Sequence, residues 1–541
     1  MATGGVNKTP ARKLSCDPED AAFQGRTLRF QFPLLGRARP HYARVMNLAR
    51  AFAESADKHA ERTALFYGDI EITYATVLRQ TVSLAGTLAG PLGVKPGDRV
   101  ALWLKNCPEF IPAWFAIQFA GAVAVPINNF LKPDEVRFML EDAGVDVLIS
   151  DGSMAESIAK LTATRPSLRV WSVESFGADA AGTSPALPLP ARARDDLAVL
   201  IYTSGTTGHP KGAMLTHGNL LHNIDSCRRV LEAVPHDRFV VLLPLFHSFM
   251  MTVGMLLPML IGGSMVIIRS LHPPKNILAE ILHRQATLLP AVPQFFRTLA
   301  HAGMPANSPL RVCVSGGAPL PMEILNEFNA KMPVPLIEGY GLSEASPVVS
   351  LNPLRGPWKA GSIGLPIPNV EMSVQDEAGA MLGDDQTGEI CVRGGNVMAG
   401  YWNKPEETAN AIRNGWLLTG DIGHRASDGY FHITDRKKDM LLVNGINVYP
   451  REIEEILYKF PGVKEAAVIG IPDARKGEQP LAFVVPAEGV TIDEKALLQF
   501  VREKLADYKV PRHARFLSAL PRNATGKVLK TSLRQLASQS A

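Results

Sequence analysis

The chain has 541 residues, of which 46% are apolar and 20% charged. These ordinary globular proportions exclude a disordered, collagenous or low-complexity chain and leave room for about two to four domains, at roughly 100–200 residues each. The net charge of +4 excludes a dedicated nucleic-acid binder, but it is unevenly spread: from Arg436 onward 18 basic residues stand against 12 acidic, whereas 38 stand against 40 before it. A basic cap on a near-neutral body suits a polyanionic small molecule, or is simply a solvated face.

Residues 1–42 read as a polar leader, with neither the apolar stretch nor the cleavage signal of a secreted protein at the start. The pattern then predicts an amphipathic helix over 47–59, another over 74–88, a strand over 100–104, a helix over 110–121 running into a strand over 122–127, and a strand over 145–150. This alternation argues for parallel sheets covered by helices. Two stretches, 110–131 and 239–268, carry no Asp, Glu, Lys or Arg and are long enough to span a membrane. Pro126, Asn128 and Asn129 end the first, and Pro244, His247, Pro258, Gly262 and Gly263 interrupt the second, so both are expected to be helix plus buried strand. Peripheral membrane contact stays open.

A Pro-rich connector at 181–191 precedes the apolar strand 197–202. Strands are further expected at 310–314, 388–393 and 430–434. The charged cluster Asp435-Arg436-Lys437-Lys438-Asp439 then marks a boundary, with a large domain over 43–435 and a small α+β domain over 436–541. The latter is predicted to hold a helix at 451–459, strands at 465–471 and 481–486, and a helix at 492–505 opened by a capping box of Thr491 with Glu494. The five cysteines Cys16, Cys107, Cys227, Cys313 and Cys391 are odd in number, widely spaced and without a CxxC pair. That excludes a disulfide framework or zinc site and points to a reducing, cytoplasmic setting.

The most informative segment follows the 197–202 strand: Thr203-Ser204-Gly205-Thr206-Thr207-Gly208-His209-Pro210-Lys211-Gly212. Glycines let backbone amides turn toward an anion, the hydroxyls add donors, and Lys211 adds a cation for a phosphate. It is not a Walker A loop, because Pro210 precedes Lys211 and Gly212 follows it. Further loops lie downstream: Ser315-Gly316-Gly317-Ala318-Pro319; Glu338-Gly339-Tyr340-Gly341-Leu342-Ser343-Glu344; Thr419-Gly420-Asp421; Asn444-Gly445-Ile446; and Pro521-Arg522-Asn523-Ala524-Thr525-Gly526-Lys527. Each alone is an ordinary turn, cap or surface loop.

Together, in this order, they resemble the adenylate-forming superfamily of acyl-CoA synthetases, luciferases and peptide-synthetase adenylation domains, over roughly residues 45–535. The resemblance implies an α/β fold: a large domain of helix-covered sheets with a β-rich subdomain, and a small mobile α+β domain hinged near Lys438. It implies an ATP-dependent acid–thiol ligase using Mg2+ and coenzyme A. The loop from Thr203 to Lys211 would grip phosphates, Tyr340 would stack on adenine, and Ser343 would contact phosphate. Gly317, Ala318, Glu338, Gly339 and Gly341 would line the adenine and acyl sites. Asp421 and Arg436 would clamp the ribose, and Glu344 with Thr203 would hold the metal. Phe246, His247 and Met251 would border the acid, with His247 given no general-base duty. Gly445 and Ile446 would face coenzyme A, and Lys527 would serve the adenylation step.

The run Leu336 to Pro353 resembles bacterial long-chain fatty acyl-CoA synthetases, so a medium- to long-chain fatty acid is the expected substrate, with aryl and short or functionalised acids as alternatives. A luciferase-like oxygenase shares the motifs. A non-catalytic binding protein on this fold would be expected to lack Lys527 or Glu344, and a peptide-synthetase domain to be followed by a carrier domain, whereas the sequence stops at Ala541. A monomer or homodimer is expected.

Overall fold

The computed structural model describes residues 46–176, 189–203, 210–271, 273–305, 308–473, 475–523 and 526–539. The expected leader, most of the Pro-rich connector and Ser204, Gly205, Thr206, Thr207 and Gly208 of the candidate phosphate loop lie outside them.

Two sheets form the body. One has six strands in the order Arg169–Ser172, Val145–Ser150, Arg99–Trp103, Val123–Pro126, Leu197–Thr203 and Lys211–Thr216, parallel except for the last pair. The other has nine; its parallel centre runs Leu336–Gly341, Val312–Ser315, Leu288–Ala291, Arg238–Val241, Ser264–Ile267, Thr63–Tyr67. Antiparallel edges close it at Ile70–Thr73 on one side and at Val348–Leu351 with Leu365–Pro366 on the other.

A helical layer joins the sheets. The helix Leu48–Lys58 starts where the Asn47 side chain accepts the Arg50 N–H at 3.0 Å, an N-cap that satisfies an otherwise orphan donor. It packs on Tyr74–Ala89, Phe110–Phe119 and Leu257–Ile261. Phe52 stacks on Phe115 at 3.9 Å between ring centroids, and the Tyr74 hydroxyl donates to the carbonyls of Pro258 and Gly263 at 3.0 and 2.7 Å.

Every residue of Phe110–Phe119 is buried, which is why that stretch reads as membrane-like. The second uncharged stretch is a strand, a widened helical turn over Met250–Leu256, the short helix Leu257–Ile261 and a second strand. Among the described residues no helix is long and apolar enough to cross a membrane.

The β-rich region is a third, antiparallel sheet: Val370–Gln375, Gly388–Gly394 and Trp416–Arg425, the last pairing with Ile412–Arg413 and with Phe431–Arg436. The fourth sheet, Ile446–Val448, Leu441–Val443, Gly477–Pro486, Val463–Asp473 and His513–Phe516, has apolar clusters of its own, one of them around Ile453, Val468 and Leu497. The chain passes between these sheets at 437–440. The expected capping box of Thr491 and Glu494 does not form. Asp493 caps the helix Glu494–Arg502 through Lys495 N–H, and the Glu494 carboxylate instead accepts the Ala514 N–H at 2.8 Å: a tertiary donor wins over a local one.

Candidate functional site

The strands Leu197–Thr203, Val312–Ser315 and Leu336–Gly341 run out at one cavity of about 1580 Å3, the place where parallel sheets present their loops to ligands. Thr203 and Lys211 enter it from the six-stranded sheet, Gly317, Gly339, Tyr340, Gly341, Ser343 and Glu344 from the nine-stranded one, Asp421 and Arg436 from the third sheet, and Lys527 from the region beyond the fourth. Phe246, His247 and Lys438 also line it. Residues separated by more than 300 positions thus share one space.

At the carboxylate of Glu344, one oxygen accepts hydrogen bonds from Thr203 Oγ1 at 3.2 Å and from the Tyr401 hydroxyl at 3.0 Å. Lys211 Nζ lies over the Tyr401 ring, 5.4 Å from its centroid, a cation–π distance. Ser343 Oγ pairs with Ser248 Oγ at 3.0 Å. One carboxylate beside hydroxyls is a hard, partial oxygen set, which fits a Mg2+ that keeps phosphate oxygens and waters. Among the described residues no group of three or more His, Cys, Asp or Glu forms a protein-only metal cage.

Some distance along the cavity, Asp421 is bracketed. The Tyr340 hydroxyl donates to Oδ2 at 2.6 Å, and Arg436 Nε lies 3.1 Å from Oδ1. The strand pairing Asp421↔Arg436 sets this geometry. Burial first, and the Asp421 charge second, hold the Tyr340 hydroxyl far above its ordinary pKa, so it remains a donor.

Lys527 sits on a tight turn. Asn523 Oδ1 accepts the Lys527 N–H at 2.9 Å, and the Asn523 N–H donates to the Lys527 carbonyl at 2.9 Å. Burial, then the neighbouring Arg436 charge, push the Lys527 pKa down to about 7, with Asp421 opposing. His247 is pushed down to about 4 by burial and then by Lys527, so its imidazole is neutral. Its Nδ1 accepts the Phe249 N–H at 3.3 Å, which assigns the ring proton to Nε2 and leaves that nitrogen a donor.

Gly341 has steric cause: a Cβ there would lie 2.2 Å from the Pro347 carbonyl oxygen. At the hairpin between Leu441–Val443 and Ile446–Val448, Asn444 and Gly445 both have positive φ, 53° and 77°, as a two-residue primed turn requires.

Among the described residues, five expected ones do not line the cavity. Gly445 and Ile446 are exposed on that hairpin. Met251 is fully buried in the widened turn, where Val253 lines the cavity instead. Ala318 does not line it, and Glu338 is 6% exposed with Oε1 accepting the Leu320 N–H at 3.1 Å, bracing the loop rather than facing the space. Burial drives the Glu338 pKa up to about 7 against the pull of Arg451. Sequence reasoning missed Tyr401, Ser248 and Asn523. The aromatic cluster Gly400-Tyr401-Trp402 before Lys404-Pro405 was the available signal for the first.

A profile described as "AMP-binding enzyme" matches residues 52–402, and one described as "AMP-binding enzyme C-terminal domain" matches 452–527. The chain belongs to the AMP-binding enzyme family. Relatives in this family include a feruloyl-CoA synthase of Amycolatopsis, 40% identical over 87% of this chain and 95% of its own. A long-chain-fatty-acid–CoA ligase of Bacillus subtilis is 35% identical over 91% of this chain and 95% of its own. The crystal structure of ATP-bound MatB from Rhodopseudomonas palustris superposes with a TM-score of 0.84 at 34% identity, covering 91% of this chain and 99% of MatB. The AMP-binding enzyme described here is an ATP-dependent, AMP-forming acyl-CoA ligase, a class whose co-substrates are ATP, coenzyme A and Mg2+.

Proposed function

We propose that this ligase activates a monocarboxylic acid with an uncharged, apolar tail, with medium- to long-chain fatty acids as the favoured class. The observation that carries the reading is the make-up of the cavity. Besides the charged Glu344, Asp421 and Lys527, its lining holds Phe246, Phe249, Val253, Val314, Val348 and Leu351, an apolar set that suits an uncharged tail. A tail with a second carboxylate would have to leave its charge there unpaired, which is costly.

In the proposed sequence an acid oxygen attacks the α-phosphorus of ATP and pyrophosphate leaves. The thiol sulfur of coenzyme A then attacks the acyl carbonyl, AMP leaves, and the thiol proton passes to solvent. Protonated Lys527 orients the acid carboxylate and offsets charge in the first transition state. Lys211 and Thr203 steady the phosphates, and Asp421 with Arg436 holds the ribose diol. Tyr340 keeps Asp421 aimed. Mg2+, when bound at Glu344, neutralises phosphate charge. His247 Nε2–H donates to the acid.

The second step needs the exposed Gly445 hairpin at the cavity. A pivot at Lys438 fits its neighbours. Lys437 is tied to the third sheet through the Gly420 carbonyl at 2.8 Å and Glu389 at 3.1 Å, while Asp439 is tied to Arg534 of the last helix at 3.0 Å. Lys438 is the residue between the two attachments, and it separates a large domain over 43–435 from a small one over 436–541. The four described cysteines that are free, Cys107, Cys227, Cys313 and Cys391, support a reducing, cytoplasmic setting.

A second reading is supported by the 40% identity to a feruloyl-CoA synthase: an aryl acid would also suit an apolar lining. Acid-dependent pyrophosphate release, with and without coenzyme A, separates the two. The expected result is fastest turnover with octanoate-to-palmitate acids and none with malonate. Faster turnover of benzoate or ferulate would replace the fatty-acid reading with the aryl one.

A further inference from the structure

We infer that the last turn of the helix His217–Val230 measures the tail of the acid, with Cys227, Val230 and Leu231 as the specificity-determining residues. The inference rests on the acyl-CoA ligase reading above and adds the element that ends the pocket. All three residues line the cavity, and Cys227 and Leu231 are only 1% and 2% exposed, so they face it from inside the protein rather than at its mouth.

This turn is held too firmly to yield to a longer tail. One turn earlier, fully buried Asn223 clamps the facing strand: its Nδ2 donates to the Val348 carbonyl at 2.7 Å and its Oδ1 accepts the Val348 N–H at 3.2 Å. Val348 itself lines the cavity, so helix and wall move as one. Behind the turn, the Leu231 carbonyl accepts from Arg311 Nη2 at 2.9 Å.

That guanidinium is locked by two bonds to Asp237, Nε to Oδ1 at 2.9 Å and Nη2 to Oδ2 at 2.8 Å. Asp237 is buried and also accepts from Thr287 Oγ1 at 2.8 Å. Displacing the turn would strip buried Asp237 of its half-buried Arg311 partner and free the Leu231 carbonyl as well, which costs more than burying one further methylene returns. The tail therefore stops at Cys227, Val230 and Leu231, and the side-chain volumes at these positions set the length.

A purely structural role for the same residues predicts uniform loss of activity, whereas a measuring role predicts opposite shifts for opposite changes of volume. The test is acid-dependent pyrophosphate release by the full chain across straight-chain acids from butyrate to palmitate, run in parallel on para-alkylbenzoates from methyl to hexyl. Cys227→Phe and Val230→Phe should lower kcat/KM for the longest accepted acids about tenfold or more relative to the shortest, mainly through KM, and move the optimum to shorter acids.

Leu231→Ala should move the optimum to longer acids. Val230 is only half-buried, so its variant carries the test if Cys227→Phe does not fold. Length profiles that keep their shape in folded Val230→Phe and Leu231→Ala would overturn the inference. A wild-type chain that releases no pyrophosphate with any acid would overturn the ligase reading instead.

Discussion

Adenylation by the free enzyme should fade as pH rises through neutrality, with Lys527 as the titrating group. Burial is the largest cause of its depressed pKa, about 7 against an ordinary 10.5, followed by the Arg436 charge. Lys438 pushes the same way, and Asp421 and Asp439 oppose. Only the cation can orient the acid carboxylate. With a pKa near 7, the protonated fraction is about one half at pH 7, about a tenth at pH 8 and about a hundredth at pH 9. Because kcat/KM reports the free enzyme, kcat/KM for ATP should fall about tenfold per pH unit above neutrality.

The kcat limb should lie at higher pH, because bound ATP places negative charge beside Lys527 and raises its pKa. Lys527→Arg should abolish the limb, whatever it costs in rate, because a guanidinium does not titrate in this range. Lys438→Gln removes a neighbouring cation and should move the limb upward. Lys527→Ala should cost about a hundred- to a thousandfold in adenylation, some 3–4 kcal/mol, yet spare thioester formation from supplied acyl-adenylate.

Linkage adds a stability effect of defined sign. Between pH 7 and 10.5 the unfolded chain holds the Lys527 proton that the folded chain has lost, so this group makes the fold more stable as pH rises across that window. The assay is initial-rate pyrophosphate release from about pH 6 to about pH 9. A wild-type profile flat over that range, or a limb that survives in Lys527→Arg, would refute the reasoning.

Tyr401→Phe removes the hydroxyl that holds Glu344 at 3.0 Å and leaves, among the described residues, the Thr203 bond at 3.2 Å. The Mg2+ concentration for half-maximal pyrophosphate release should rise about tenfold, and an unchanged Mg2+ titration would remove Tyr401 from the site. Glu338→Gln tests the second buried group. Its folded pKa of about 7 exceeds the ordinary 4.5, so the folded chain binds the extra proton and wild-type stability falls as pH rises from 4.5 to about 7. The glutamine variant does not titrate. Its melting temperature should therefore gain on wild type across that window and hold the gain above it; a pH-independent difference would show that the carboxyl is not perturbed.

Much of the site was readable from order and spacing. Thr203, Lys211, Tyr340, Glu344, Asp421 and Lys527 belong to Gly-containing motifs whose order carries the family resemblance, and all six line the cavity. Most strands lie close to their expected limits because their apolar runs are buried, whereas the one expected at 481–486 begins at Gly477, where its first residues are exposed or half-buried. What failed was local logic facing a tertiary competitor. Glu494 was expected to cap its own helix and instead binds the Ala514 N–H. Glu338 belongs to a nucleotide motif yet turns inward to Leu320. Met251 and Val253 differ only in which of them the widened turn over Met250–Leu256 presents to the cavity, a choice that α-periodicity cannot anticipate.

The sequence by itself pointed to the chemistry through its resemblance to a known family: each glycine loop alone is an ordinary turn, and only their order together implied an acid, a nucleotide and a thiol. Tertiary structure alone decided the pairings that make these groups act. Tyr340 reaches Asp421 across 81 residues, and Tyr401 reaches Glu344 across 57. The pKa of Lys527 falls because burial and Arg436 act on it together. Hydrogen bonding and desolvation depend on distance and on neighbours in space, and strand register and sheet order, rather than chain order, set both.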